Sequence, residues 1–295
     1  MTPLILHAYD ASPFTQRVLR MLGLKGLGWR WVETPMLPPK VALSAMTAGY
    51  RGTPVLQIGR ELYIDSQRIA LELDRRHPAQ PLLLTALGPA WLPWSDSLFR
   101  SALGIVLAQQ AHTWPPAFRD DRRALFPHID FDQAPADRAH HELQLGACLA
   151  LLESHLGSAD FLEGPQAGLA DVNLQPFLAM LLGCAESLVR DFPRVRAWES
   201  RIASLGEGKR QRIDPDVAQQ TAASAGALAP VGHVWRGVIP SHTQVSVTPL
   251  DNRRGVMRGR LVISDLTEIG IEHEWAGVGT VRVHLPRTGY RVEAG

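Results

Sequence analysis

Apolar positions are nearly continuous over residues 4–8, then switch to a helical rhythm in Phe14, Val18, Met21 and Leu22. A short apolar run followed by that period reads as a strand feeding a helix. Ser12 and Pro13 stand at the join. Serine is a favoured N-cap, and proline suits the first helical turn because the N–H it lacks is unpaired there anyway. Trp29, Arg30, Trp31 and Val32 alternate as a half-buried strand does, and Pro35, Pro38 and Pro39 then break the chain. Pro54-Val55-Leu56-Gln57-Ile58 reads as a strand, Gly59-Arg60-Glu61 as a turn and Leu62-Tyr63-Ile64 as the hairpin partner. Asp65 and Ser66 open a helix carrying Ile69, Ala70 and Leu73, which ends before Pro78. The predicted order over residues 1–79 is βαβ, β-hairpin, α.

Over residues 88–208 the strand signals disappear. Leu145, Leu149, Leu152 and Leu156 form one helical face, Leu174, Phe177, Leu178 and Leu181 a second, and Val195, Trp198, Ile202 and Leu205 a third. This predicts a separate all-α bundle. Pro176 falls inside the second helix, where it should kink it or remove a hydrogen bond. Residues 218–229 are alanine-rich and read as a helix fragment or linker. Over residues 230–295 alternation returns in Val245/Val247, Ile269/Ile271/His273/Trp275 and Val281/Val283/Leu285, with glycine turns between. That predicts a small antiparallel β module of four or five strands. A sheet of that size needs something to pack on, and the helical domain is the expected support.

Composition narrows the function. The chain has 295 residues, 45% hydrophobic and 20% charged, with a formal net charge of +1, so neither nucleic acid nor an anionic membrane is expected as a partner. No apolar stretch approaches the ~20 residues of a membrane span, and no signal-peptide pattern stands at the start. The expected location is cytoplasmic. Cys148 and Cys184 lie in leucine-rich helices and read as small buried residues, not a disulfide framework. His140 and His141 have no partners at metal-ligand spacing, so no metal is assigned; His233, His242, His273 and His284 are scattered without a recognisable motif.

The candidate chemistry lies at two helix starts. Free N–H groups and the positive end of the dipole should face whatever sits beside the Ser12 hydroxyl, which favours an anion or a thiol about to become one. Ser12-Pro13-Phe14-Thr15, Thr53-Pro54-Val55 and Asp65-Ser66, taken in order and spacing, resemble the cytosolic glutathione transferase superfamily. In the helical domain Gly168-Leu169-Ala170-Asp171 and the stretch from Phe192-Pro193 to Trp198 resemble that superfamily's helix start and closing helix, with glycine where serine or threonine is usual. The resemblance covers residues 1 to about 208 and implies a thioredoxin-like domain followed by the helical domain.

It further implies glutathione as co-substrate and a small electrophile as second substrate. Ser12 would donate to the glutathione sulfur and lower its pKa, with Tyr9 and Thr15 as alternatives. Asp65 would pair with the γ-glutamyl ammonium, and Ser66 with the first N–H groups of its helix would take the γ-glutamyl carboxylate. A cis bond between Thr53 and Pro54 would let the cysteinyl backbone pair at Val55 as an added strand. Phe14 would line the site, and Lys40 or Arg51 would meet the glycyl carboxylate. Trp91, Trp94, Trp114 and Phe118 are candidates for the electrophile site, and His112, Arg119, Arg122 and Arg123 form either an acid-binding patch or a solvated face. Serine at position 12 cannot form a mixed disulfide, so thiol–disulfide chemistry is disfavoured. Addition or displacement by the glutathione thiolate is the expected reaction, with a homodimer among the expected assemblies. The alternative is a non-catalytic binding or assembly protein that keeps the fold.

Overall fold

A computed structural model describes residues 2–85, 88–231, 238–252 and 254–295; His233 lies outside the described residues. The chain divides into two compact units, Met1–Thr15 with Gly28–Glu72 and Lys209–Gly295, and Gln16–Leu27 with Leu73–Gly208.

The first unit is built on one ten-stranded sheet. Its thioredoxin-like part comprises β1 (Ile5–Ala8), β2 (Gly28–Glu33), β3 (Val55–Ile58) and β4 (Glu61–Ile64) with α2 (Val41–Met46), while α1 (Pro13–Leu24) and α3 (Ser66–Arg76) start in this unit and continue into the second from Gln16 and Leu73. The strands and the two longer helices match the sequence pattern. The short α2 does not announce itself among the prolines around it. β5 (Lys209–Arg212) pairs in parallel with β2 and closes one edge. Its Lys-Arg-Gln-Arg sequence is almost wholly exposed and gives no alternating signal. Charged side chains of this kind protect an edge strand from further pairing. The alanine-rich stretch overlaps the end of α9 (Pro215–Ala223), whose Ala218 is buried with Ile5 and Val32.

The remaining strands are β6 (Gln244–Pro249), β7 (Met257–Ser264), β8 (Glu268–Trp275), β9 (Gly279–Pro286) and β10 (Tyr290–Ala294). They are antiparallel to one another, as the alternation predicts. Their support is not the expected one. β9 pairs in parallel with β4, aligning Glu61 with Arg282, Leu62 with Val283 and Tyr63 with His284. The module therefore extends the thioredoxin-like sheet. Its core is continuous with that sheet: Met46, Tyr50, Leu62 and Ile64 are buried together with Val247, Met257, Ile271, Val283 and Leu285. Full burial of each such side chain stabilises the fold by about 1.5–3 kcal/mol.

The seam between β4 and β9 carries a buried ionic knot. His284 Nδ1 bonds Glu268 of β8, and its Nε2 lies 2.5 Å from Oε2 of Glu61 on β4. Its ring stacks on Tyr63 with centroids 4.5 Å apart. Arg282 pairs with Glu61 and Glu272, and Arg68 of α3 pairs with Glu268 at 2.7 Å. Burial pulls the imidazolium pKa down, but the bonds and charges of Glu268 and Glu61 outweigh it and leave the pKa raised. A raised folded-state pKa contributes stability that is full below the unfolded value of about 6.5 and is lost as pH rises through the folded value. The melting temperature should therefore fall from pH about 6.5 upward, and His284→Gln should flatten that slope. Parallel slopes for the two proteins would remove His284 as the cause. His7 behaves oppositely: burial brings its pKa down to about 4, and the neutral ring is held by Gln57 Oε1 at 2.7 Å.

The second unit contains α4 (Trp91–Gln110), α5 (Pro116–Leu125), α6 (Ala134–His155), α7 (Leu169–Leu182) and α8 (Pro193–Ala203). The three predicted faces are buried in it, apart from half-buried Leu205 at the end of the third. α7 runs unbroken through Pro176. Cys148 and Cys184 are half-buried rather than fully buried, and burial pushes both thiol pKa values up.

Candidate functional site

The site residues come from the starts of α1 and α3 and from the turn into β3. Ser12 is 3% exposed and accepts the Thr15 N–H on Oγ at 3.3 Å, so it is the N-cap of α1. That bond uses a lone pair and leaves the O–H to donate. Thr15 Oγ1 is buried with no partner among the described residues. Tyr9 accepts the Ser12 N–H on its carbonyl at 3.3 Å, and Lys40 Nζ stands 5.0 Å from the Tyr9 ring centroid. Lys40, at the start of α2, is 9% exposed.

At α3, Asp65 has φ of 75°, a left-handed conformation that costs a non-glycine residue about 1–3 kcal/mol and concentrates at functional sites. Its carbonyl accepts Ile69 N–H at 3.0 Å and its Oδ1 accepts Gln67 N–H at 3.0 Å. Ser66 follows as the first helical residue, 4% exposed. Capping and ligand binding are compatible, because Oδ2 lies outside the cap.

The Thr53–Pro54 bond is cis. Val55 is fully buried and aligned with His7 of β1 on one side and Ile64 of β4 on the other. An incoming ligand strand has no open edge there. Half-buried Thr53, two residues before Val55, stands outside the ladder.

The structure adds residues that sequence reasoning missed. The connection between β6 and β7 lies against the loop before β3: Arg51 N–H donates to the Arg254 carbonyl at 2.7 Å and Arg258 N–H to Ala48 O at 3.1 Å. Arg254 stands over the Phe14 ring at 5.5 Å and ion-pairs with Asp251 at 3.0 Å. Tyr50 is 2% exposed. Tyr290 of β10 donates its hydroxyl to Asp65 Oδ2 at 3.4 Å. Burial pushes the pKa of both tyrosines up, so both stay neutral donors. Burial pulls the Arg254 pKa down, but the negative charges of Asp251 and Asp65 act against it and Arg254 stays charged. No local motif marks Arg254 or Tyr290; their neighbours are distant in sequence, Tyr290 meeting Asp65 across 225 positions and Arg254 meeting Phe14 and Arg51.

The helical candidates sit differently. Trp91 and Trp94 form an edge-to-face pair at 5.4 Å and pack on the helical core. Trp114 and Phe118 form another at 5.1 Å, with Arg122 over Phe118 at 4.6 Å and paired to Asp121. His112 is exposed, and Arg123 is exposed and paired with Asp132 at 2.7 Å, which fits a solvated face. Arg119 is half-buried.

A thioredoxin-like sheet with a cis-proline turn, followed by an all-helical unit, defines a glutathione-transferase-type fold. The family model for the glutathione S-transferase N-terminal domain matches residues 6–81, and that for the C-terminal domain matches residues 113–205. The chain belongs to the glutathione S-transferase family. It is similar over its whole length to a GST-like protein from Pseudomonas syringae, with 28% identity, a TM-score of 0.83 and 100% of each chain covered. It shares its fold with a glutathione S-transferase from Rhodospirillum rubrum F11 at 18% identity, with 68% of this chain and 88% of that chain covered and a TM-score of 0.55. It also shares it with a glutathione S-transferase-I bound with lactoylglutathione, at 19% identity, 69% and 99% coverage and a TM-score of 0.50. The Pseudomonas syringae match takes in the β6–β10 region as well. Among the described residues no helix is long and apolar enough to cross a membrane.

Proposed function

We infer that this protein is a glutathione-dependent transferase that joins the glutathione sulfur to a small electrophilic substrate. The observation that carries the reading is the Ser12 cap: a buried hydroxyl at a helix start, its lone pair on Thr15 N–H and its proton left to donate. A thiol beside such a group loses its proton more readily, because the hydrogen bond and the helix dipole both favour the thiolate. The thiolate attacks the electrophilic carbon, an S–C bond forms, and the carbon's electron pair goes to a leaving group or takes up a proton. Asp65 would receive the γ-glutamyl ammonium, Ser66 and the α3 N–H groups its carboxylate, Thr53 the cysteinyl backbone, and Lys40 the glycyl carboxylate, with Phe14 lining the site. The bound lactoylglutathione of the similar transferase is a statement about that protein, and it supports glutathione as the ligand class here.

Calorimetric titration with glutathione, followed by a panel of electrophiles, tests this. The intact protein should bind at millimolar concentration or better and turn over at least one electrophile. Asp65→Ala should weaken binding about tenfold or more, equivalent to ~1.4 kcal/mol. Binding without turnover across a broad panel would favour the non-catalytic alternative, and no binding at all would end the glutathione reading.

A further inference from the structure

The helix α2 is six residues long, follows Pro35, Pro38 and Pro39, and buries only Leu43 and Met46. A helix that short does not hold itself in water, so its order has to come from what it packs on. That support is the C-terminal β region: Leu43, Met46 and Tyr50 share one core with Val245, Val247 and Met257.

Backbone contacts carry the packing past the end of the helix. Met46 O is one of the last carbonyls of α2, which have no partner inside the helix. It lies 2.9 Å from Nε2 of His273, on β8. A carbonyl only accepts, so Nε2 carries the proton in that bond. The chain then reverses through Ala48 and Gly49, with φ of 60° and 114°. A left-handed alanine persists only where its surroundings fix it. Here Arg258 N–H donates to Ala48 O at 3.1 Å, and Arg51 N–H donates to Arg254 O at 2.7 Å. The two backbones touch where they cross: a Cβ on Gly49 would stand 2.6 Å from Val256 O, and one on Gly255 2.3 Å from Gly49 O. Glycine at both positions lets the segments lie this close. Residues 46–51 are therefore fixed from β8, from β7 and from the connection before β7, and Thr53 and cis Pro54 follow directly.

We propose that the C-terminal β region is an intramolecular clamp that holds α2 and the turn into Pro54 in their ligand-binding form before glutathione arrives, with His273 as its positioning residue. The inference rests on the glutathione reading, because Lys40 at the start of α2 and Thr53 at the end of the turn are two of the contacts assigned to the tripeptide. A turn fixed in advance spares the ligand the cost of ordering it, and a loosened turn lowers affinity by the share of molecules in which it is open. His273 is assigned no contact with the tripeptide and acts through Met46.

Hydrogen exchange and calorimetry with glutathione, both on the full chain, test this. His273 stands opposite Val281 in the sheet, and leucine there removes the N–H while keeping an apolar side chain. In His273→Leu without ligand, the amides of Thr47, Gly49 and Arg51 should exchange about fivefold or more faster, while those of β1 and β3 keep their rates. The glutathione Kd should rise by a similar factor of about five, and saturating glutathione should restore most of the lost protection. His273→Gln keeps an N–H that can reach Met46 O and should stay near the unaltered protein in both measurements. Unchanged exchange at the three amides in His273→Leu, with normal glutathione binding by the unaltered protein, overturns the proposal and leaves the glutathione reading intact. So does faster exchange spread evenly over the sheet, or faster exchange at the turn with an unchanged Kd. If the unaltered protein binds no glutathione, both readings fall. Should circular dichroism show His273→Leu unfolded, the unaltered protein without ligand decides: the Gly49 and Arg51 amides should exchange as slowly as those of β7, and exchange at the rate of an open loop rejects the proposal.

Discussion

Asp171→Ala should destabilise the helical unit by about 3 kcal/mol or more, because three buried donors lose their acceptor. Asp171 is fully buried and accepts three donors: Leu162 N–H at 2.9 Å, Gly168 N–H at 2.9 Å and Trp198 Nε1–H at 2.6 Å. Burial raises its pKa and the three donors act against that. Removing it is worse than keeping it. Each of three buried N–H groups would be left unpaired, at about 1–3 kcal/mol apiece before relaxation or entering water recovers part of the cost. The loss should appear as a lower urea midpoint with an unchanged slope, which separates weaker packing from a changed denatured state. Asp171→Asn should fall between the two, because its amide keeps one acceptor oxygen and places an N–H against another donor. A midpoint within error of the unaltered protein in Asp171→Ala would show that the three donors find other partners.

Ser12→Ala should lower kcat by roughly 100-fold while changing glutathione affinity only a few-fold. The hydroxyl acts on the sulfur's charge, which matters most once the thiolate forms, so the loss belongs in the chemical step rather than in binding. A free thiol titrates near about 8.5, and a lowering of about one to two units makes thiolate dominant at neutral pH. The lower limb of the kcat/KM profile should therefore move upward in Ser12→Ala, toward the free thiol value. Ser12→Thr keeps a hydroxyl and should restore much of the rate. The lost cap also costs about 1 kcal/mol of stability, so the comparison needs a temperature well below unfolding. An unmoved pH profile would take the sulfur away from Ser12 and pass it to Tyr9 or Thr15. Of these, Thr15 is the less accessible, being fully buried.

The two predictions show what a linear reading reaches. Asp171 could be singled out as a helix-start residue from Gly168-Leu169-Ala170-Asp171, and its bond back to Gly168 N–H is the one such a start allows. Its bonds to Leu162 and to Trp198 of α8 could not be read, because they depend on how separate helices meet. Likewise Ser12 and Asp65 are legible as helix caps, since capping is decided within three or four residues. The cis Thr53–Pro54 bond was reachable through family resemblance, not through proline statistics. Backbone access at the turn was not: whether Val55 or Thr53 faces a ligand depends on strands on both sides of β3.

The sequence by itself determined the elements whose burial follows a local period, the helix starts set by capping chemistry, and the transferase-type order of an α/β part before a helical part. Periodicity tells which face of a strand is buried, but nothing about which edge meets which. Tertiary structure alone decided that β9 pairs with β4, that the C-terminal strands extend the first sheet, and that Arg254 and Tyr290 meet Phe14 and Asp65. Strand edges join through backbone hydrogen bonds that every residue but proline can offer, so no residue identity marks the join in advance.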